Sequence, residues 1–135
     1  FFPLKKHYPP FNEFSIINPI IISSVIENFC DKENITFKWP NDIYVNGKKI
    51  CGILQELITF NNKKFLLIGI GINICSNPNI RRNYKATNIY FETGKKPSIK
   101  QILELIIFSY NKFFINLKSY DFDYFKKKAK LIANN

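Results

Sequence analysis

The stretch FKWPNDIYVNGKKICGILQE, residues 37–56, decides the fold together with FLLIGIGINI at residues 65–74. Asn46-Gly47 is a preferred pair for a two-residue hairpin turn, because both central positions need positive φ. It predicts that a strand over 42–45 turns back into a longer one over 48–58, with Val45 facing Lys48, Ile43 facing Ile50 and Asn41 facing Gly52. Pro40 ends a short preceding strand over 35–38, since proline cannot donate to a ladder and drives Trp39 out of the helical region. Along 48–58, alternation sets Ile50, Gly52, Leu54 and Glu56 on one face and Cys51, Ile53 and Gln55 on the other. A third strand over 65–74 carries Leu66, Ile68, Ile70, Ile72 and Ile74 on one face and Gly69, Gly71 and Asn73 on the opposite one. The aliphatic face suits packing helices, and the glycine face leaves room for something to lie on the sheet.

Working outward, residues 1–4 read as the end of a strand, and Pro9-Pro10 marks 5–14 as an exposed loop. Asn18 is a good N-cap and Pro19 suits a first helical position. Ile21, Ile22, Val25, Ile26 and Phe29 then recur at helical spacing and predict a helix ending near Glu33, stabilised by burial on the sheet because its β-branched residues are poor helix formers. Residues 75–97 predict a polar connection with a short strand near 88–91. Ser98-x-x-Gln101 is a capping-box signature opening a long helix, with Ile99, Ile102, Leu103, Ile106, Tyr110, Phe113 and Leu117 as its buried stripe. Asp121 caps a last helix that turns Phe122, Phe125 and Ala129 inward and Lys126, Lys127, Lys128 and Lys130 mostly to solvent. The class is α+β, a mixed and largely antiparallel sheet packed by helices, in a single domain over 1–135.

With 135 residues, 46% of them hydrophobic and 22% charged, the chain is long enough for one core and too short for two ordinary domains. No apolar run approaches the roughly 20 residues of a membrane helix. No signal-peptide pattern is present, so a cytoplasmic location without membrane association is expected. The sequence contains no methionine, which suggests a trimmed chain or a fragment. A net charge of +10 raises nucleic-acid binding, yet of the 20 basic residues only Arg81 and Arg82 are arginine, the type whose fork reads phosphate best. The abundance of Lys, Asn, Ile, Phe and Tyr is that of AT-rich coding drift, and no nucleic-acid partner is expected. Cys30, Cys51 and Cys75 show no metal-ligand spacing and read as free, packed thiols, so no metal site is expected.

Lys38 closes a strand just before a proline turn, where an ammonium group can be held over the sheet and offset negative charge on reacting oxygens. The bland alternative is a solvated lysine. Trp39, Pro40, Asn41 and Asp42 shape that turn, the last two through side-chain bonds to the backbone. The Gly-Ile-Gly-Ile-Asn run lies inside a strand, so it is not a dinucleotide fingerprint. It offers a floor for a planar ligand, with Asn73 able to read the edge of a base through its paired donor and acceptor. The sequence shows no Ser-His-Asp set and no Walker loop.

Lys38-Trp39-Pro40-Asn41-Asp42, the following Ile43 to Ile50, Gly52-Ile53-Leu54, Glu56 and Gly69-Ile70-Gly71-Ile72-Asn73 resemble the two signatures of biotin protein ligases, and Ala86-Thr87-Asn88 with Glu92-Thr93-Gly94 resembles that family's next segment. The resemblance implies a biotin/lipoate ligase-like fold, related to class II aminoacyl-tRNA synthetases. It implies a reaction in which biotin and ATP, with Mg2+, give biotinyl-adenylate, from which a lysine of a biotin carboxyl-carrier domain takes the biotin. By resemblance Lys38 is the catalytic lysine that contacts carboxylate and phosphate, Gly52, Ile53, Gly69 and Gly71 bind substrate, and Asn73 binds nucleotide. The family's glycine- and arginine-rich loop is absent before Phe1, as are an N-terminal DNA-binding domain and a C-terminal small barrel. The expectation is therefore a partial catalytic domain, truncated at its N-terminus, with a homodimer left open. The alternative is a non-catalytic binding or interaction fragment of the same fold. Lipoate or octanoyl transfer is disfavoured, because both signatures belong to the biotin branch.

Overall fold

A computed structural model describes residues 1–77 and 84–133. Arg81, Arg82 and the middle of the polar connection lie outside the described residues. The chain builds one five-stranded sheet in the order β1-β5-β4-β3-β2, from β1 (Phe2–Pro3), β2 (Ile35–Lys38), β3 (Asp42–Val45), β4 (Lys48–Phe60) and β5 (Lys63–Ile72). Among the described residues all strand pairs are antiparallel, and an isolated parallel bridge joins Lys49 to Ala86. Helices α1 (Phe14–Ile26), α3 (Ile99–Ile115) and α4 (Phe122–Ala133) pack on one face of the sheet, where Ile26, Ile102 and Ala129 meet Ile43, Cys51 and Ile53. The opposite face is open, with Leu54 71% exposed.

The hairpin forms as its turn residues dictate, with Asn46 at φ 51° and Gly47 at φ 71° and Val45 facing Lys48. Its register departs from the simple expectation two residues further on. Tyr44 faces Lys49, but Ile43 faces Cys51 and Asp42 faces Gly52, so Ile50 is an extra residue on β4. This β-bulge breaks the alternation, as one inserted residue turns everything on its turn side to the other face. Ile50 therefore joins Cys51 and Ile53 in the core instead of sharing a face with Gly52. Lys49 moves the other way, onto the open face.

Three further expectations are corrected. The first helix starts at Phe14, after a 3-10 turn over Phe11–Glu13, and ends at Ile26. Asn18 is no cap; it lies fully buried inside the helix, donating to Gln55 Oε1 at 2.9 Å and accepting from the Tyr110 hydroxyl at 2.9 Å. Pro19 removes the helical bond that would reach the Ser15 carbonyl, a loss tolerated in a helix whose residues are mostly buried. Next, residues near 88–91 form not a strand but the short helix α2 (Ile89–Thr93), with the Asn88 side chain accepting from Phe91 N–H and Gly94 ending it at φ 70°. Lastly, α3 opens with its capping box intact, but Ile99 (79% exposed) and Leu103 (52%) stand outside the buried stripe. That stripe runs instead through Ile102, Ile106, Tyr110 and Phe113.

The Gln55–Asn18–Tyr110 chain joins β4, α1 and α3 through one buried amide. Replacing Asn18 by alanine strands a hydroxyl and a carboxamide together, which predicts a loss of about 1–3 kcal/mol in urea unfolding. A change under about 0.5 kcal/mol, the level of an ordinary surface substitution, would show that the chain contributes nothing.

Candidate active site

Directly paired residues of neighbouring strands point to the same side of a sheet. The register pairs Lys38 with Asp42, Asp42 with Gly52, and Gly52 with Gly71, so these four stand in one row across β2, β3, β4 and β5. Leu54 pairs with Gly69 in a neighbouring row. All lie on the face away from the helices, where Gly69 and Gly71 are exposed and Gly52 half-exposed. A Cβ at Gly71 would come no closer than 3.9 Å to another residue, so the floor is bare rather than crowded.

Lys49 stands over this floor. Its Nζ is 2.8 Å from Asp42 Oδ1 and 4.9 Å from the centre of the Tyr84 ring, and a Cβ on Gly52 would meet its Cε and Nζ at 3.6 Å. A carboxylate and an aromatic face thus hold one ammonium group above the central glycine. Lys38 is exposed, with its Nζ 5.8 Å from the Tyr44 ring centre. Sequence reasoning missed Lys49 as a site residue: next to the Asn46-Gly47 turn, Lys48 and Lys49 read as a pair at the solvent-exposed end of the hairpin, and no residue near Ile50 announces the bulge.

The other expected residues separate by role. Trp39 is 44% exposed and touches Phe37 edge-on at 6.0 Å, the Trp39–Pro40 bond is cis, and the Asn41 carbonyl accepts the Ile53 N–H at 2.8 Å. Asp42 spends its carboxylate on Lys49 and not on the turn backbone. Ile53 turns its side chain into the core, 3% exposed, and serves the floor through that one backbone bond. Asn73 closes the end of β5: its N–H donates to the Ile50 carbonyl at 2.9 Å, and its Nδ2 donates to the Thr87 carbonyl at 3.0 Å. Lys49, Gly52, Gly71, Asn73, Tyr84 and Ala86 line a pocket of about 200 Å³ with Cys51 at its base.

Tyr84 and Ala86 border that pocket because the bulge exposes the backbone of Lys49 to their segment. The Lys49 N–H donates to the Lys85 carbonyl at 2.8 Å, and the Thr87 N–H donates to the Lys49 carbonyl at 2.9 Å. Glu92 on α2 fastens the same segment, accepting from Thr87 Oγ1, from Asn46 Nδ2 at 2.7 Å and from Lys48 Nζ at 3.1 Å. Burial alone would raise the Glu92 carboxyl, but these three donors and the Lys48 charge outweigh it and leave it below its usual range.

Residues 13–73 match the model of the biotin/lipoate A/B protein ligase family, a span that ends on Asn73 and takes in the whole cross-sheet row. That span is 61 of the chain's 135 residues, and over it the chain is similar to this family. It is 38% identical over 61 residues to a protein named biotin–protein ligase 2 of Arabidopsis thaliana, covering 41% of this chain and 18% of that protein. It is 27% identical over 93 residues to one named biotin–[acetyl-CoA-carboxylase] ligase of Paracoccus denitrificans, covering 65% of this chain and 39% of that one. The solved biotin protein ligase of Aquifex aeolicus in complex with biotin and ATP superposes with a TM-score of 0.70 at 28% identity, over 92% of this chain and 52% of that one. The ligase-family fold thus extends over nearly all of this chain, which spans about half of that solved ligase and less of the two named relatives. No helix among the described residues is long and apolar enough to cross a membrane.

Cys51 sits directly beneath the floor, and burial, with a smaller push from Asp42, raises its thiol to about 12. Cys30 is also buried and raised, whereas Cys75 is exposed. The thiolate is the reactive form, so native protein should give one fast equivalent with a thiol reagent at pH 8, from Cys75, and three after denaturation. Fast labelling of Cys51 would mean that the floor opens in solution.

Proposed function

We propose that this chain carries the adenylate-forming site of a biotin protein ligase. In the first step a carboxylate oxygen of biotin attacks the α-phosphorus of ATP, the α–β bridging bond breaks, and pyrophosphate leaves with that electron pair. In the second, the amine of a carrier-domain lysine attacks the acyl carbon, the carbon–oxygen bond breaks, AMP leaves, and the nitrogen loses a proton. The observation that supports this reading is the ammonium group of Lys49 held over a bare glycine floor. Two anionic groups must be brought together in the first step, and a pre-positioned cation lowers the repulsion between them without reorganising during the reaction. Asp42 fixes that cation, and Lys38, at the near end of the same row, adds positive field. The flat floor of Gly52, Gly69 and Gly71 lets a ligand lie against the backbone, while the Asn73 amide and the Tyr84 ring bound the end assigned to adenine.

The names of relatives support biotin and ATP as substrates and a carboxylase carrier domain as acceptor. A cytoplasmic setting belongs to the proposal and agrees with the three free cysteines. Among the described residues no group of three or more His, Cys, Asp or Glu is placed to hold a metal ion, and Asp42 is committed to Lys49. No step is therefore assigned to a protein-bound Mg2+; in this reading the ion arrives on the phosphates of ATP.

Calorimetry with a non-hydrolysable biotinyl-adenylate analogue separates the two lysines. Lys49→Ala should weaken binding by about 1.5–3 kcal/mol, the range for a hydrogen bond to a charged group. Lys38→Ala should weaken it by less than about 1 kcal/mol, as befits an exposed charge. The reverse order would return the leading role to Lys38. Binding without any transfer of labelled biotin to a carrier domain would favour a non-catalytic fragment, and no binding by the unaltered chain would sink the reading.

A further inference from the structure

We propose that Glu92, which stands off the ligand floor, is a positioning residue for the nucleotide end of the site, acting through Thr87 on the Asn73 amide and on the backbone of Lys49, whose ammonium group Asp42 holds independently. The inference rests on the adenylate-forming reading above. Its basis is the way one carboxylate ties three separate pieces of chain together: α2, the β3–β4 turn through Asn46 and Lys48, and the bordering segment through Thr87. The Glu92 side chain is 7% exposed, and of its partners Thr87 is buried at 2%, whereas the Lys48 side chain is 33% exposed and Asn46 lies at the exposed turn, so the Thr87 bond is the one shielded from water.

Thr87 is the joint. It is 2% exposed and uses every polar group it has: its hydroxyl donates to Glu92, its N–H donates to the Lys49 carbonyl, and its own carbonyl accepts from Asn73 Nδ2. The last of these sets the plane of the Asn73 amide. Three residues before the joint, the Tyr84 ring lies 4.9 Å from Lys49 Nζ. If Glu92 lets go, Thr87 loses its outer support, and the Asn73 amide and the Tyr84 wall lose the element that orients them. Gly52, Gly69 and Gly71 are held by strand pairing and should not move. The consequence is directional: the adenine end of the site loosens while the rest of the floor stays as it was.

A simple structural clip would behave differently. It would lower stability and leave the folded protein's kinetics alone, or disturb both substrates alike. The test compares Glu92→Ala, Glu92→Gln and, as a destabilised control away from the site, Asn18→Ala, each at a temperature where the protein is folded. Amide exchange is measured without ligand, and adenylate formation is measured with ATP and biotin varied in turn. Glu92→Ala should speed exchange at the Thr87 and Lys49 amides by about tenfold or more while leaving Ile53, bonded to Asn41, unchanged. It should raise KM for ATP by about tenfold, the loss of one neutral hydrogen bond, with KM for biotin and kcat within about twofold. Glu92→Gln, which keeps an oxygen for Thr87, should fall between alanine and the natural residue. Asn18→Ala should lower the melting temperature without raising KM for ATP.

Unchanged exchange at Thr87 and Lys49 in folded Glu92→Ala, or equal rises in KM for both substrates, would overturn the proposal. If the unaltered chain forms no adenylate, the reading of the site's function fails on its own, and exchange alone decides the positioning: protection lost at Thr87 and Lys49 upholds it, and protection kept refutes it.

Discussion

The Asp42–Lys49 ion pair, at 2.8 Å, is the interaction on which the site depends. It exists because β4 carries one residue more than β3 can match. Without the extra residue at Ile50, Lys49 would share a face with Cys51 and point among the helices, an untenable place for an unpaired ammonium. With it, the lysine stands beside Gly52 on the open face, its partner stands across the ladder, and its freed backbone receives residues 85 and 87. One local irregularity thus supplies the cation, the means of holding it, and the border of the pocket.

The one-sided architecture gives that arrangement its use. Helices on a single face satisfy the aliphatic rows of β4 and β5, so the other face need not be covered for the domain to have a core. Glycines at 52, 69 and 71 remove the side chains that would otherwise fill this face, and the sheet backbone becomes a surface on which a flat, polar ligand can lie. The pair of signatures apparent in the sequence corresponds to two physical elements: a turn with its cation, and a floor.

Much of this was legible from residue pattern alone. Asn46-Gly47 declared the hairpin, Pro40 ended β2 at the expected residue, and the alternating Gly and Ile of 68–72 separated the two faces of β5 correctly. What remained hidden has physical causes. A bulge is a property of how two strands meet, and nothing in Lys49-Ile50-Cys51 states it. Asn18 carries every local mark of a helix cap, yet a partner 37 residues away on β4 and another 92 residues away on α3 make it worth more inside the helix. Lys38 and Lys49 look alike as letters; only the register shows which of them lies over glycine. Glu92 gave no sign of its reach, since Asn46, Lys48 and Thr87 converge on it only after the hairpin has folded against α2.

The most direct test of the central claim is to record amide chemical shifts of the labelled chain while adding a biotinyl-adenylate analogue. If the glycine floor is the ligand site, the largest changes fall on Gly52, Gly69, Gly71, Asn73 and Lys49, with the amides of α1 and α4 unmoved. Changes confined to the helical face, or none at saturating analogue, would contradict it.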